Sequence, residues 1–230
     1  FSKIKNDFEV GTIINKTKPT NASIFLDVGS GTGHHVAAFE ENGYNATGID
    51  ISPSMVKKAK ESYPDKSYMV GDVTKAMTFP AQSFTHITCL YFTIYYIKNK
   101  RGFFKNCFDW LMPGGYLILH LVDKDNFDPI IPAGDPFNIV SPQRYAKERI
   151  TSTVVKFDNM DYKANFEMLP NGTTALMKEV FKNTKNGDLR QNNHKLYMSS
   201  QATILGMAKE VGFIMVEQID MIKCQYDSQY

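Results

Sequence analysis

The segment from Leu26 to Phe39, LDVGSGTGHHVAAF, constrains this chain more than any other stretch. An apolar run ending in Asp27 and Val28 gives way to Gly29, Gly31 and Gly33 at alternate positions, and a helical pattern begins near His34. A strand that turns through glycines into a helix brings backbone N–H groups against a nucleotide-like ligand with no side chain in between. The spacing is G-x-G-x-G behind an acid, not the G-x-G-x-x-G of dinucleotide-binding turns. Further on, TGIDIS ends a second strand pattern with Asp50, and YMVGDVT sets Asp72 after a third apolar run. Any one such Asp is as readily a cap or turn residue as a ligand group. Three at the ends of consecutive strands, the first beside a glycine loop, point to a ligand edge. A carboxylate on the strand after such a loop can accept hydrogen bonds from both ribose hydroxyls of an adenosine.

Strand and helix patterns alternate as far as residue 122. Strands are expected at 24–28, 44–50, 67–70, 84–91 and 116–122, the last entered through the PGG turn at 113–115. Helices are expected at 3–15, 36–42, 52–62 and 101–110. The first carries Ile4, Phe8 and Gly11 or Thr12 on one face, and the third has Ser52 as N-cap with Pro53 behind it. This rhythm implies a doubly wound, Rossmann-like α/β sheet, parallel and covered on both faces, with ligands at the carboxyl ends of its strands. After Val122 the rhythm breaks. Residues 123–143 read as a long connection, and 150–157, 162–169, 175–182 and 194–198 as short strands, with Asn171-Gly172 and Asn186-Gly187 as hairpin signals. We read 123–199 as an antiparallel β cap inserted after the fifth strand, and 1–122 with 200–230 as the core. A helix at 200–210, a strand at 214–221 and the start of another at 226–230 close the pattern. Insertions over a ligand edge usually shape the substrate pocket; the alternative use is a homodimer surface.

The chain of 230 residues fits one domain with an insertion. Its net charge of +2, without a basic run, gives no sign of a nucleic-acid partner. Cys89, Cys107 and Cys224 follow no metal or disulfide spacing, which fits a reducing, cytoplasmic setting, and Cys89 reads as a packed thiol. No stretch is long and apolar enough to span a membrane, and no signal-peptide pattern is present. The chain starts at Phe1 and stops mid-pattern at Tyr230, so trimming at both ends is expected.

The pattern Asp27-x-Gly29-x-Gly31-x-Gly33 resembles the first motif of the class I S-adenosylmethionine (SAM) dependent methyltransferases. HITCLYFTIYYI at 86–97 and WLMPGGYLILHLVD at 110–123 resemble the fourth and fifth motifs of the small-molecule members. More narrowly, TCLYFTIYY and His194-Lys195-Leu196-Tyr197-Met198 are similar to segments of amino-sugar N,N-dimethyltransferases, whereas Thr85 stands where many relatives have Asp. The resemblance implies SAM as cofactor, with S-adenosylhomocysteine as its product. The implied cofactor residues are Asp27, Gly29, Ser30, Gly31 and Gly33 in the loop and Asp50 at the ribose. Ile51 and Met55 follow Asp50, Asp72 with Val73 takes the adenine amine, and Leu90 with Tyr91 follows the fourth strand.

Several subclasses lack their chemistry here. No Asn/Asp-Pro-Pro-aromatic segment for exocyclic base amines occurs at Leu90-Tyr91-Phe92-Thr93, and no cysteine neighbours a proline as a base-carbon nucleophile requires. Residues 89–97 supply no paired carboxylates for magnesium, and the two glutamates of protein-arginine methylation are absent, so no metal is expected. What remains is an aromatic site: Tyr91, Phe92, Tyr95 and Tyr96. Methyl transfer from a sulfonium asks mainly for alignment and exclusion of water, and aromatic faces can hold a cation at about 0.5–2 kcal/mol each. An amine acceptor must arrive neutral, so one weak base suffices. His120 and His194 are the candidates, with Asp123 able to orient either, and Tyr96 stands as a third catalytic candidate although a phenol suits a pocket wall better. The expected function is methylation of a small molecule, nitrogen favoured over oxygen. The alternatives are a protein or tRNA methyltransferase and a catalytically silent SAM-binding scaffold.

Overall fold

β1 (Ile24–Val28) sits at the centre of a five-stranded parallel sheet, flanked by β2 (Asn45–Asp50) on one side and β4 (Phe84–Cys89) on the other. A strand covered on both edges and both faces is mostly apolar, and Phe25, Leu26 and Val28 are buried together with one acid, Asp27. β3 (Ser67–Val70) and β5 (Leu111–Leu119) complete the order β3-β2-β1-β4-β5. The structure is a computed structural model that describes residues 2–127, 129–130 and 148–221. The chain divides into two compact units, one running to Leu121 and including Ile204–Met215, the other made of Val122–Thr203 and the residues from Val216 on.

In the first unit α2 (His34–Glu41) and α3 (Pro53–Ser62) cross between parallel strands. The Ser52 hydroxyl accepts from the Met55 N–H and Pro53 opens α3, as its sequence implied. A short α4 (Thr93–Tyr96) and α5 (Lys100–Trp110) follow β4. Thr85 stitches β4 to β1: its Oγ1 accepts from the Ile24 N–H at 2.8 Å. α1 (Ser2–Thr17) forms, and of the face expected of it the side chains are described from Phe8 on, that of Ile4 lying outside the described ones. Phe8 is exposed, and the inward stripe is Asn6, Glu9, Val10 and Ile13, a helical spacing whose polar members hide it from a hydrophobic reading. β5 already starts at Leu111, paired with Phe84, and the PGG turn makes an irregularity before Tyr116 pairs with His86. It ends at Leu119, so His120 lies just beyond the strand.

His86 is sandwiched in this core between Phe25 (ring centroids 4.3 Å) and Tyr116 (5.4 Å). Burial depresses its pKa from 6.5 to about 4. The folded ring stays neutral over a range where the unfolded chain takes up a proton. The His86 contribution is therefore complete above pH 6.5 and lost as pH falls towards 4. Lowering pH from 7 to 5 should cost about 2 kcal/mol of stability. Urea denaturation of wild type and His86→Phe at both pH values checks this: the phenylalanine variant should lose that much of the pH dependence.

In the second unit β6 (Ser152–Phe157), β7 (Met160–Met168), β8 (Thr174–Asn183) and β9 (Leu189–Tyr197) form an antiparallel sheet in sequence order. Gly172 and Gly187 take φ of 63° and 78° in its hairpins, the left-handed geometry their Asn-Gly signals demand. β9 begins earlier than its apolar residues suggest, because Leu189 onward ladders with β8 from Lys182. Residues 123–127 make a turn, and most of the expected connection, like the strand start at 226–230, lies outside the described residues. α6 (Gln201–Val211) stops at Gly212 (φ 123°). The strand expected at 214–221 is not formed: Ile214, Met215 and Val216 are exposed, and no described strand pairs with them. Apolar residues alone do not make a strand without a ladder partner. Among the described residues no helix is long and apolar enough to cross a membrane.

Candidate cofactor site

The glycine loop hangs on β2. The Gly29 and Ser30 N–H groups both donate to the Ile49 carbonyl, at 2.8 and 3.1 Å, and the Gly31 N–H donates to Asp50 Oδ2 at 2.9 Å. Asp50 Oδ1 accepts from the Ser52 N–H at 2.8 Å, so one carboxylate braces the loop and the start of α3. Two of its lone pairs are thus taken by backbone, and a carboxylate has capacity for two further donors, as a ribose diol requires. The three loop glycines differ in what they face. A Cβ on Gly29 would strike the Thr93 side chain at 2.5 Å and one on Gly33 the Tyr68 ring, whereas Gly31 (φ 53°) opens onto empty space. Beyond Asp50, which is tied to this loop, Ile51 is exposed (71%) and Met55 partly exposed (38%).

The other expected cofactor residues fall into two groups. Asp72 and Val73 are partly exposed beyond β3. Thr74 donates from both N–H and hydroxyl to Asp72 Oδ1, holding that carboxyl below its usual range, and Asn106 fixes the Val73 carbonyl. Asp27, Ser30 and Leu90 instead turn inward. Asp27 is buried and accepts from Thr88 at 2.7 Å; desolvation raises its pKa, against the lowering pull of His35 and Thr88. The Ser30 hydroxyl faces Gly48 of β2, and Leu90 packs in the core with Phe25 and Phe39. The side chains of these three are buried behind the loop.

Tyr91 departs from every expectation of an ordinary pocket wall. Its φ is 51°, an unfavourable left-handed conformation for a residue with a large side chain. It is held at both ends. The backbone N–H donates to His120 Nδ1 at 3.1 Å, and the single hydroxyl proton is shared between Asn6 Oδ1 at 2.8 Å and Glu9 Oε2 at 3.1 Å. Burial and the Glu9 charge push the phenol well above its usual range, so it stays a donor. Glu9 Oε2 also meets His35 Nε2 at 2.9 Å, and Glu9 Oε1 stands 4.0 Å from His120 Nδ1. Asn6, Glu9 and His35 escaped the sequence reading; an acid and an amide on the buried stripe of α1 were the available signal.

Of the remaining aromatic residues, Tyr95 is fully buried core, while Phe92 is half-buried and Tyr96 about half exposed. Cys89 and Cys107 are buried, and burial pushes both thiols up, away from reactivity. His194 belongs to the second unit, where Glu179 gathers three partners. Its carboxylate accepts from Tyr162 at 2.8 Å, pairs with His194 Nε2 at 3.0 Å and meets Asn192 at 3.4 Å. Asp123 is taken up locally, its carboxylate accepting from Asn126 Nδ2 and the Asp125 N–H. Among the described residues no cluster of His, Cys, Asp or Glu could hold a metal ion.

The parallel sheet of order β3-β2-β1-β4-β5, with a glycine loop after β1 and an acid closing β2, has the Rossmann-like fold of the SAM-dependent methyltransferase class. Residues 26–119 match the family model described as a methyltransferase domain. SAM is the cofactor of that class, and the residues around Gly31 and Asp50 suit it. The chain is 30% identical over 104 residues to a ubiquinone biosynthesis O-methyltransferase of Coxiella burnetii. It is 28% identical over 116 residues to a dTDP-4-amino-2,3,4,6-tetradeoxy-D-glucose N,N-dimethyltransferase of Saccharopolyspora spinosa. These matches cover 44% and 48% of this chain, which spans under half the length of either relative (44% and 46%). In fold it is similar to a SAM-dependent methyltransferase of Clostridium acetobutylicum, with a TM-score of 0.73, 15% identity, and coverage of 94% of this chain and 82% of that one.

Proposed function

We propose that the chain transfers the methyl group of SAM to a small-molecule acceptor, a nitrogen nucleophile in preference to oxygen. The observation that carries this reading is the Asp50 carboxylate, tied to the Gly31 N–H beside open space and exposed apolar residues. SAM, when bound, supplies an electrophilic methyl on a positively charged sulfur. The chain's own residues then have three tasks. The loop backbone, Asp50 and Asp72 hold the nucleoside; Tyr91 and Tyr96 offer aromatic faces that favour a cation and exclude water; and a histidine takes the acceptor's proton. His120 and His194 are the two bases proposed, and residues 123–199 are proposed to select the acceptor. The relatives named for nitrogen and oxygen methylation both act on small molecules by their names, which supports the substrate class and leaves nitrogen as our preference.

One observation favours a macromolecular acceptor as the second reading. The register of the antiparallel sheet puts exposed Lys156, Lys163, Lys178, Lys182 and Lys195 on one face, against only Asp161 and Glu167. Such a face suits an acidic surface, although charged side chains on a sheet also guard against aggregation. Methyl-labelled SAM incubated with the protein and, separately, a metabolite extract, total RNA and total protein decides between the readings. Label is expected in the metabolite fraction. Label confined to RNA or protein would replace the first reading with the second.

A further inference from the structure

The protonation of His120 is governed by two competing groups. The Tyr91 N–H can only donate, so in the observed arrangement His120 Nδ1 accepts and the neutral ring carries its proton on Nε2. In that form Nε2 has no lone pair, and the histidine cannot take a proton there. The alternative partner stands at the same nitrogen. Glu9 Oε1 is 4.0 Å from Nδ1, outside hydrogen-bond reach but within a small ring tilt of it. The Glu9 side chain is almost fully buried at 1% exposure and the His120 ring is 23% exposed. A buried carboxylate beside an imidazole favours Nδ1–H and the imidazolium.

We propose that Glu9, on the N-terminal helix, is the positioning residue that makes His120 a base. Glu9 draws the proton of His120 onto Nδ1 and leaves the Nε2 lone pair to receive a proton from the acceptor. This rests on the reading of His120 as the acceptor-side base. The step balances on the protein: the neutral amine attacks with its own lone pair, one N–H bond of the ammonium so formed breaks, and its proton goes to Nε2. Nδ1–H stays on the ring, donated to Glu9, and the ring becomes a cation beside a carboxylate. The tilt also releases the Tyr91 N–H from Nδ1, while the Tyr91 hydroxyl remains held by Asn6 and Glu9. The other ionisable groups around this carboxylate are His35 from α2, which shares Glu9 Oε2, and the buried Asp27 of β1, which feels both Glu9 and His35. His35 therefore competes for the same charge and belongs in the experiment as a control.

The test is nitrogen-15 NMR of the histidine rings in the cofactor-free protein, titrated through neutral pH, for wild type, Glu9→Gln and His35→Gln. Wild-type His120 is expected to carry its proton on Nδ1 in the neutral form, above its midpoint. Glu9→Gln should lower the His120 midpoint by about one unit or more, and shift the acidic limb of the kcat/KM profile by the same amount. His35→Gln should move the His120 midpoint upward or leave it in place. A neutral wild-type His120 that keeps its proton on Nε2, or a midpoint unmoved by Glu9→Gln, overturns the proposal. The wild-type measurement decides even if the variant does not fold. Failure of the wild type to bind SAM by calorimetry would instead overturn the methyl-transfer reading, because the ring titration needs no cofactor.

Discussion

Asp50→Ala should weaken SAM binding by about 1.5–3 kcal/mol, roughly 10- to 150-fold in Kd. The substitution acts twice. It removes the acceptor for the ribose hydroxyls, and it unties the Gly31 N–H and the Ser52 N–H, which both lean on this carboxylate. Hydrogen bonds to a charged group in a partly buried site are the strong ones. Asp72→Ala should cost less, since the Thr74 backbone and hydroxyl already occupy one of its oxygens and the site is more open to water. Titration calorimetry with SAM and with S-adenosylhomocysteine measures both. Wild-type affinity in Asp50→Ala, or tight binding of a nicotinamide dinucleotide with none of SAM, would remove Asp50 from its place at the ribose.

Gly33→Ala is the substitution with the largest expected effect on folding. Gly33 has φ of 88°, and a Cβ there would lie 2.5 Å from the Tyr68 oxygen and 2.6–2.7 Å from its ring carbons. Tyr68 cannot swing aside, because the ring is buried and its hydroxyl donates to the Gly33 carbonyl at 2.9 Å. Overpacking of about 1–3 kcal/mol adds to about 1–2 kcal/mol for a left-handed alanine. Gly31→Ala bears only the second cost, because nothing lies within 4 Å of its Cβ, and that methyl would instead enter the space assigned to the nucleoside. Thermal or urea unfolding should therefore rank Gly33→Ala well below Gly31→Ala. Binding measurements should show Gly31→Ala folded but impaired towards SAM. Equal stability of the two would contradict the packing described for the loop.

Much of this molecule is readable from local rules. β1 and β3 begin and end where their apolar runs do, Ser52 and Pro53 open α3, and the Asn-Gly pairs turn the hairpins of the antiparallel sheet. The loop glycines, Asp50 and Asp72 are legible for the same reason: a backbone that must pass a ligand closely leaves a short, ordered signature of glycine and acid. Misreadings occur where a residue's partner is remote. Phe8 looks like the buried face of α1 because apolar residues are presumed to point inward, yet that face belongs to Asn6 and Glu9. The segment after Gly212 has strand-forming residues, and without a neighbouring ladder among the described residues it forms none.

The parallel sheet, the glycine loop, the acids at its carboxyl edge and the change to an antiparallel sheet after Val122 were all present in the order of residues, because each follows from spacing within a few positions. Which of those groups are exposed at the loop and which are buried behind it depended on packing between distant segments. Asp27, Ser30 and Leu90 read as site residues and are buried, while Glu9, which the sequence reading did not single out, lies at the centre of a buried cluster. Glu9 reaches Tyr91 across 82 positions of chain and draws His35 and His120 to the same carboxylate. Charge pairs of that range have no period along the chain. They arise where the sheet brings the ends of β1, β4 and β5 together with one face of α1, and in that low-dielectric setting a single carboxylate can set the proton position on a histidine.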